Sequence, residues 1–299
     1  MGNIFSRQAA QFVLFDDVLL PHCPECGSGE YMTNEDENFN NFCGQCGTRL
    51  DWSAYTEFRA KQNKLNGAKV LTYEMLNRLV TSPDFINMDT VVYNKLLSVT
   101  RSKGMCTALD VLAMDKLEAS QRLCSIMNKT FLTERIMFKY ILKLVYQAIE
   151  KHGPPGNAGD AAIEALENWL NDANGVIDDW GRKRMREAAN TAAAAAQEMD
   201  EAARNSEVIR PGCPLEIQRR LTWCYAWAAC IDQPTIAVLN VVSSSCEADA
   251  LAKAGPRPTD ESYHGKWEKT RDKARKEAWG KALKELQSLL VGLGEEEVK

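Results

Sequence analysis

Four cysteines, at positions 23, 26, 43 and 46, have the type and spacing of a metal cage. Cys23-Pro24-Glu25-Cys26-Gly27 is followed, after 16 intervening residues, by Cys43-Gly44-Gln45-Cys46-Gly47. This C-x2-C-x16-C-x2-C pattern lies within the spacing of a four-cysteine zinc site. A two-residue gap lets one tight turn place two sulfurs on the same ion, and four thiolates at about 2.3 Å complete a tetrahedron. Gly27 and Gly47 each follow the second cysteine of a pair, where such a turn needs φ > 0. Pro24 stiffens the first turn. Four protein ligands leave no open coordination position, so the expected Zn²⁺ is structural and not catalytic. Iron in the same cage is the runner-up, and a redox dithiol fits less well because two pairs are present. His22, next to Cys23, is an alternative ligand by type but reads better as a surface residue.

The C-P-x-C-G of Cys23–Gly27, paired with the C-x-x-C-G-x-x-L from Cys43 to Leu50, resembles the zinc ribbon or rubredoxin-like knuckle family. The resemblance spans roughly residues 20–52. It implies a bound metal, and ribbons of this type bind nucleic acid, bind protein or cap another domain. Charge decides among these. Between Asp16 and Trp52, eight acids face Arg49 alone, a net charge of −7. Zn²⁺ held by four thiolates makes the segment more negative still. Nucleic-acid affinity comes largely from neutralising phosphates with Lys and Arg, so a phosphate backbone is disfavoured here and a protein surface preferred. Tyr31, Phe39, Phe42 and Trp52 are either anchors for that surface or the ribbon's own small core.

The elements that must hold this site read as helical. Residues 10–20 are a short apolar lead-in, strand or helix. From Asp51 to Lys151 the apolar spacing is that of helix faces: Leu71, Met75 and Leu79; Val92, Leu96 and Val99; Leu109, Leu112, Met114 and Leu117; Ile136, Tyr140, Leu144 and Ala148. Strand-like alternation is absent. Thr81-Ser82-Pro83-Asp84 reads as a helix start. Gly153-Pro154-Pro155-Gly156 is the clearest linker, ending at a capping Asp160. Beyond it, Met185, Ala189, Ala192, Ala196, Met199 and Ala203 form a seam of small side chains on one helix face, suited to a close neighbour. The most apolar window, Leu221 to Val242, is cut by Asp232-Gln233-Pro234 and reads as two helices, 215–231 and 234–254, not a membrane span. Gly255-Pro256-Arg257-Pro258 breaks the chain before a last helix. That helix carries eight bases against four acids between Lys266 and Glu285, over an apolar face of Trp267, Ala274, Ala278, Ala282 and Leu286. The expected architecture is mainly α: a lead-in at 1–20, a zinc ribbon at 21–52, a helical domain at 53–152, a linker at 153–159 and an alanine-rich helical domain at 160–299.

Within the last of these, Ala165-Leu166-Glu167-Asn168-Trp169-Leu170, Arg184 with Ala188, Ala189 and Ala192–Ala196, and Tyr225-Ala226-Trp227-Ala228 are similar to the alanine-rich helical domain of putative bacterial immunity proteins, over roughly residues 160–254. The resemblance implies a non-catalytic protein that binds a toxin or similar effector. Trp223, Tyr225 and Asp232 stand where members of that family carry histidines, so no binding residues are carried over.

Composition narrows the classes. The chain has 299 residues, 45% of them hydrophobic and 26% charged, with a net charge of −5. This excludes a disordered chain, a collagen and a small disulfide scaffold, and it is not the profile of a general nucleic-acid coat. Ten cysteines are too sparse for a disulfide framework, which favours a reducing compartment and a cytoplasmic location. Met1-Gly2-Asn3-Ile4-Phe5-Ser6 fits a myristoylation pattern, but only Arg7 is a nearby base, so a second anchoring signal is missing. Three scattered histidines and the absence of HExxH, GxSxG and Walker motifs give no catalytic residue. Cys106, Cys124, Cys224, Cys230 and Cys246 read as small buried hydrophobes in helices, with Cys213 the most exposed. The expected function is a non-enzymatic protein-binding protein of immunity, antitoxin or inhibitor type, bacterial or phage in origin. A nucleic-acid-binding regulator using the basic last helix, or an enzyme with an unrecognised site, are the alternatives.

Overall fold

The computed structural model describes residues 8–9, 11–15, 18–29, 32, 40–53, 68–80, 88–154, 160–171, 179–205 and 210–296. Gly2, Tyr31, Phe39, the helix start expected at Thr81–Asp84 and most of the 153–159 linker lie outside these residues. The chain forms two compact units, Met1–Asn66 and Gly67–Lys299.

In the first unit, β1 (Gln8–Ala9) pairs in parallel with β4 (Leu50–Asp51), and β2 (Gln11–Phe15) pairs antiparallel with β3 (Val18–His22). The apolar lead-in is therefore strand, and β3 runs directly into the first cysteine pair. The unit's small core consists of Met32, Leu50, Cys23 and Cys43, with Trp52 packed against it. Trp52 Nε1 donates to Asn40 O at 2.8 Å, which gives the indole's one polar atom a partner.

The second unit is mainly α-helical. Its elements among the described residues are β5 (Val70–Thr72), α1 (Tyr73–Leu79), α2 (Thr90–Lys103), β6 (Met105–Thr107), α3 (Ala108–Leu112), α4 (Ala119–Ile126), α5 (Glu134–His152), α6 (Asp160–Asn171), α7 (Asp179–Asn205), α8 (Pro214–Ala228), α9 (Pro234–Ala254), a 3₁₀ turn (Glu261–Tyr263) and α10 (His264–Glu296). Starts follow capping chemistry. Asp89 Oδ1 accepts from the Val91 and Val92 amides ahead of α2, and Thr133 Oγ1 from Ile136 N ahead of α5.

Three local expectations are corrected. β5 and β6 pair antiparallel, Leu71 opposite Cys106, so strand is present where none was expected; three residues are too short to display an alternation. Leu71 and Cys106 are thus buried strand residues, and the buried face of α1 is Leu76 and Leu79. Helix α3 stops at Leu112, so Met114 and Leu117 lie beyond it in a turn region instead of on a helix face.

The long helices follow the pattern. Ile136, Tyr140, Leu144 and Ala148 of α5 are all buried. The window from Leu221 to Val242 is two helices, with Pro234 in the first turn of α9; α8 ends at Ala228, which leaves Cys230 in the turn between them. On α7, Met185, Ala192 and Ala196 are buried and Ala189 and Met199 half-buried, and this seam packs on α8. Trp267, Ala274, Ala278, Ala282 and Leu286 of α10 are buried against a neighbourhood dominated by α9. Helices on either side of residues 153–159 share one core: Ala148 of α5 meets Leu221 and Ala248, and Phe138 of α5 meets Trp169 of α6 edge-on at 5.2 Å. The expected boundary there divides the helices in sequence, while Gly67–Lys299 is one compact unit in space.

Candidate metal centre

The two cysteine pairs fold as matching knuckles. Gly27 N donates to Cys23 O at 2.9 Å and Cys23 N to Ser28 O at 2.8 Å; Gly47 N donates to Cys43 O at 2.9 Å and Cys43 N to Thr48 O at 2.8 Å. Each turn closes with a glycine at positive φ, +71° at Gly27 and +74° at Gly47. The expected conformation is therefore the observed one, for the expected reason. In each pair the first cysteine is buried and the second exposed.

All four sulfurs lie within 4.8 Å of one another. Cys23 Sγ is 3.5 Å from Cys46 Sγ, and Cys26 Sγ is 3.7 Å from Cys43 Sγ. A tetrahedron with about 2.3 Å from centre to corner has edges of about 3.8 Å, which these distances approach. A disulfide would need about 2.05 Å, so the arrangement suits an ion between the sulfurs and not bonds among them. The close pairs run between knuckles, joining Cys23 to Cys46 and Cys26 to Cys43, as a shared ion requires.

Protonation follows the surroundings of each sulfur. Hydrogen bonds from the Thr48 hydroxyl, 3.1 Å away, and from the Thr48 backbone pull the Cys46 thiol down to about 6. At Cys26 the Ser28 backbone also pulls down, but partial desolvation and contact with the sulfurs of Cys46, Cys43 and Cys23 outweigh it and push that thiol up to about 12. Sulfurs this close resist ionising together unless a cation lies among them, so metal binding would release protons.

His22 stands outside the cage. Its Nδ1 is 2.7 Å from Gly27 O, so the ring braces the first knuckle. A Cβ at Gly29 would come within 3.0 Å of that ring, which explains a glycine there. Thr48, Gly29 and the bracing role of His22 were not found from spacing. The repeat C-x-x-C-G-[S/T], with Ser28 and Thr48 in the same place, was the available signal for the hydroxyl. Among the four candidate anchors, Phe42 is 55% exposed beside Cys43 and Trp52 is half-buried on the ribbon core. Tyr31 and Phe39 lie outside the described residues.

Elsewhere Cys224 and Cys246 are buried, Cys124, Cys213 and Cys230 half-buried. Burial pushes the Cys224 and Cys246 thiols up to about 12, which keeps them protonated and inert. Glu164 is exposed on α6, and Glu167 accepts from the Tyr146 hydroxyl. Among the described residues no helix is long and apolar enough to cross a membrane. Four cysteines that can hold a metal ion, on a mainly helical chain, are what the geometry establishes. Comparison with family models, with curated proteins and with solved structures gives no match.

Proposed function

We propose that residues 21–52 hold a structural Zn²⁺ and present a docking surface for a protein, and that the chain is a non-enzymatic binding protein of immunity, antitoxin or inhibitor type. Zn²⁺ suits four thiolates because it has no geometric demand beyond the tetrahedron and no redox chemistry to manage. Bound there, it would supply rigidity: it would fix both knuckles and neutralise the sulfurs, while Met32, Leu50 and Trp52 pack beneath. The observation that carries the docking surface is Phe42, a large apolar side chain left exposed next to Cys43 in a segment of net charge −7. An exposed aromatic anchor within a charged rim is the anatomy of a protein interface, and the negative charge turns phosphate away. The partner this favours has a basic face with an apolar pocket. The resemblance of residues 160–254 to immunity proteins, read from the residues alone, is the ground for a toxin or effector as that partner, and the sparse cysteine usage favours a reducing cytoplasm as the place.

Elemental analysis of the purified chain should give one equivalent of zinc. Cys43→Ser should release it and unfold the first unit while most of the helical circular-dichroism signal stays. A mutant that keeps its full equivalent refutes the ligand assignment. Phe42→Asp should keep the zinc yet lose the proteins captured from the native host and identified by mass spectrometry. Identical capture by wild type and Phe42→Asp would remove Phe42 from the interface.

A further inference from the structure

We infer that α10 carries a lysine track that binds the phosphate backbone of duplex nucleic acid without reading its sequence. The track is separate from the ribbon and goes beyond the docking function proposed for it. The sequence gives this helix eight bases between Lys266 and Glu285, and the fold sorts them. Both arginines turn toward α9, where Glu247 lies 4.0 Å from Arg271 and 3.4 Å from Arg275. Lys276 pairs with Glu118 of the segment before α4 at 3.0 Å. Lys266, Lys269, Lys273, Lys281 and Lys284 are left, all exposed, with no carboxylate among the described residues at ion-pair distance.

The acids of α10 offset them only in part: Glu277 lies in the field of Lys273 and Lys281 as well as pairing with Lys253, and the other three pair with cations outside the track. Glu268 pairs with Arg257 at 3.7 Å, Asp272 with Arg271 at 3.3 Å, Glu277 with Lys253, and Glu285 with Lys143 at 2.6 Å. Lys266, Lys269 and Lys273 follow one another at steps of three and four, so they share one helix face, and Lys284 extends it. From Lys266 to Lys284 the track is about 27 Å long. It lies on the side of α10 opposite the buried Trp267–Leu286 face.

The composition of this face selects the partner. Between Lys266 and Lys284 it exposes no large hydrophobic residue, whereas a protein interface needs apolar anchors. It presents lysines, compact hydrated point charges without the planar two-point fork that arginine or asparagine brings to a base edge, so contacts to phosphate dominate. The apolar side of α10 is packed in the core, so the helix has nothing to insert into a bilayer. Phosphate binding needs only a row of cations, and a chain that is net negative elsewhere confines a duplex to this row.

The test is fluorescence anisotropy of the full-length, zinc-loaded chain with labelled duplexes of roughly 24 base pairs and two unrelated sequences, over a salt series. Both duplexes should bind with Kd on the order of micromolar at low salt, and log K should fall with log salt at a slope no steeper than about −4.5. Lys269→Glu and Lys273→Glu should each weaken binding several-fold and together lower the slope by about 2. Lys95→Glu, an exposed lysine on α2, changes net charge equally and should bind as wild type. Helical circular dichroism, unchanged in all variants, separates lost binding from lost folding. Lack of saturable binding at low salt overturns the inference, as does an equal loss in Lys95→Glu. So does binding to phosphatidylserine vesicles, with the same lysine dependence, in place of the duplex.

Discussion

Gly47 shows how much of the metal centre is decided residue by residue. Its φ of +74° turns the chain so that Thr48 O accepts from Cys43 N, and a Cβ there would meet nothing within 4 Å. Gly47→Ala therefore tests backbone conformation without steric conflict. The left-handed conformation costs an alanine about 1–2 kcal/mol, so zinc affinity should fall roughly five- to thirtyfold. Competition with a chelating dye would measure this, and unchanged affinity would mean that the turn does not depend on its glycine. At this scale the sequence was most readable, since thiol chemistry and a two-residue gap together specify the cage. Thr48 and His22 were not, because their roles rest on hydrogen bonds to Cys46 Sγ and Gly27 O that spacing alone does not encode.

Among elements, long helices were legible and short pieces were not. Helix α5 spans 19 residues and repeats its apolar face several times, so its periodicity stands clear of chance. Strands β5 and β6 offer three residues each and are fixed by pairing with one another, a partner that neither segment names. The breaks before α8 and after α9 show the same non-local logic. Pro211-Gly212 and Gly255-Pro256 each read as a break, but nothing in either shows that the two touch, as they do where Arg257 N donates to Pro211 O at 2.8 Å; Trp267 Nε1 of α10 then donates to Gly255 O at 2.8 Å. Gly212 sits in this contact at φ +83°, where a Cβ would lie 2.0 Å from Gly255 O. Gly212→Ala combines left-handed strain with a clash against backbone that cannot rotate away, and should cost roughly 3 kcal/mol or more. Calorimetry should show the helical unit melting about 6–12 °C lower. A shift under about 2 °C would mean that these two loops separate freely.

For the molecule as a whole, the question is what ties the helices before residues 153–159 to those after. Apolar packing of Ala148 on Leu221 and Ala248 does part of this, and a polar lock does the rest. His152, nearly buried at the end of α5, places Nε2 2.7 Å from Asp249 Oδ1 on α9, and Lys151 takes the other carboxylate oxygen. Gln218 Nε2 of α8 donates to His152 O at 3.2 Å, so three helices meet at this residue. Burial pushes the Asp249 carboxyl up, but the bonds from His152 and Lys151 outweigh it and hold the group below the ordinary carboxylate range. A carboxyl depressed in the folded state contributes stability above its unfolded pKa of about 3.9, and that contribution is lost as pH falls through the lower folded value. Asp249→Asn should therefore destabilise the helical unit by about 1.5–3 kcal/mol near neutral pH, the usual range for hydrogen bonds to a charged group. In acid below that lowered folded value the wild type protonates the same carboxyl, and the gap between the two proteins should close. Urea unfolding at both pH values reads this directly, because the midpoint difference should shrink with acid while the slope of free energy against urea stays the same. A gap that persists undiminished in acid would mean that Asp249 acts through its shape and packing, leaving apolar contact alone to hold α5 against α9.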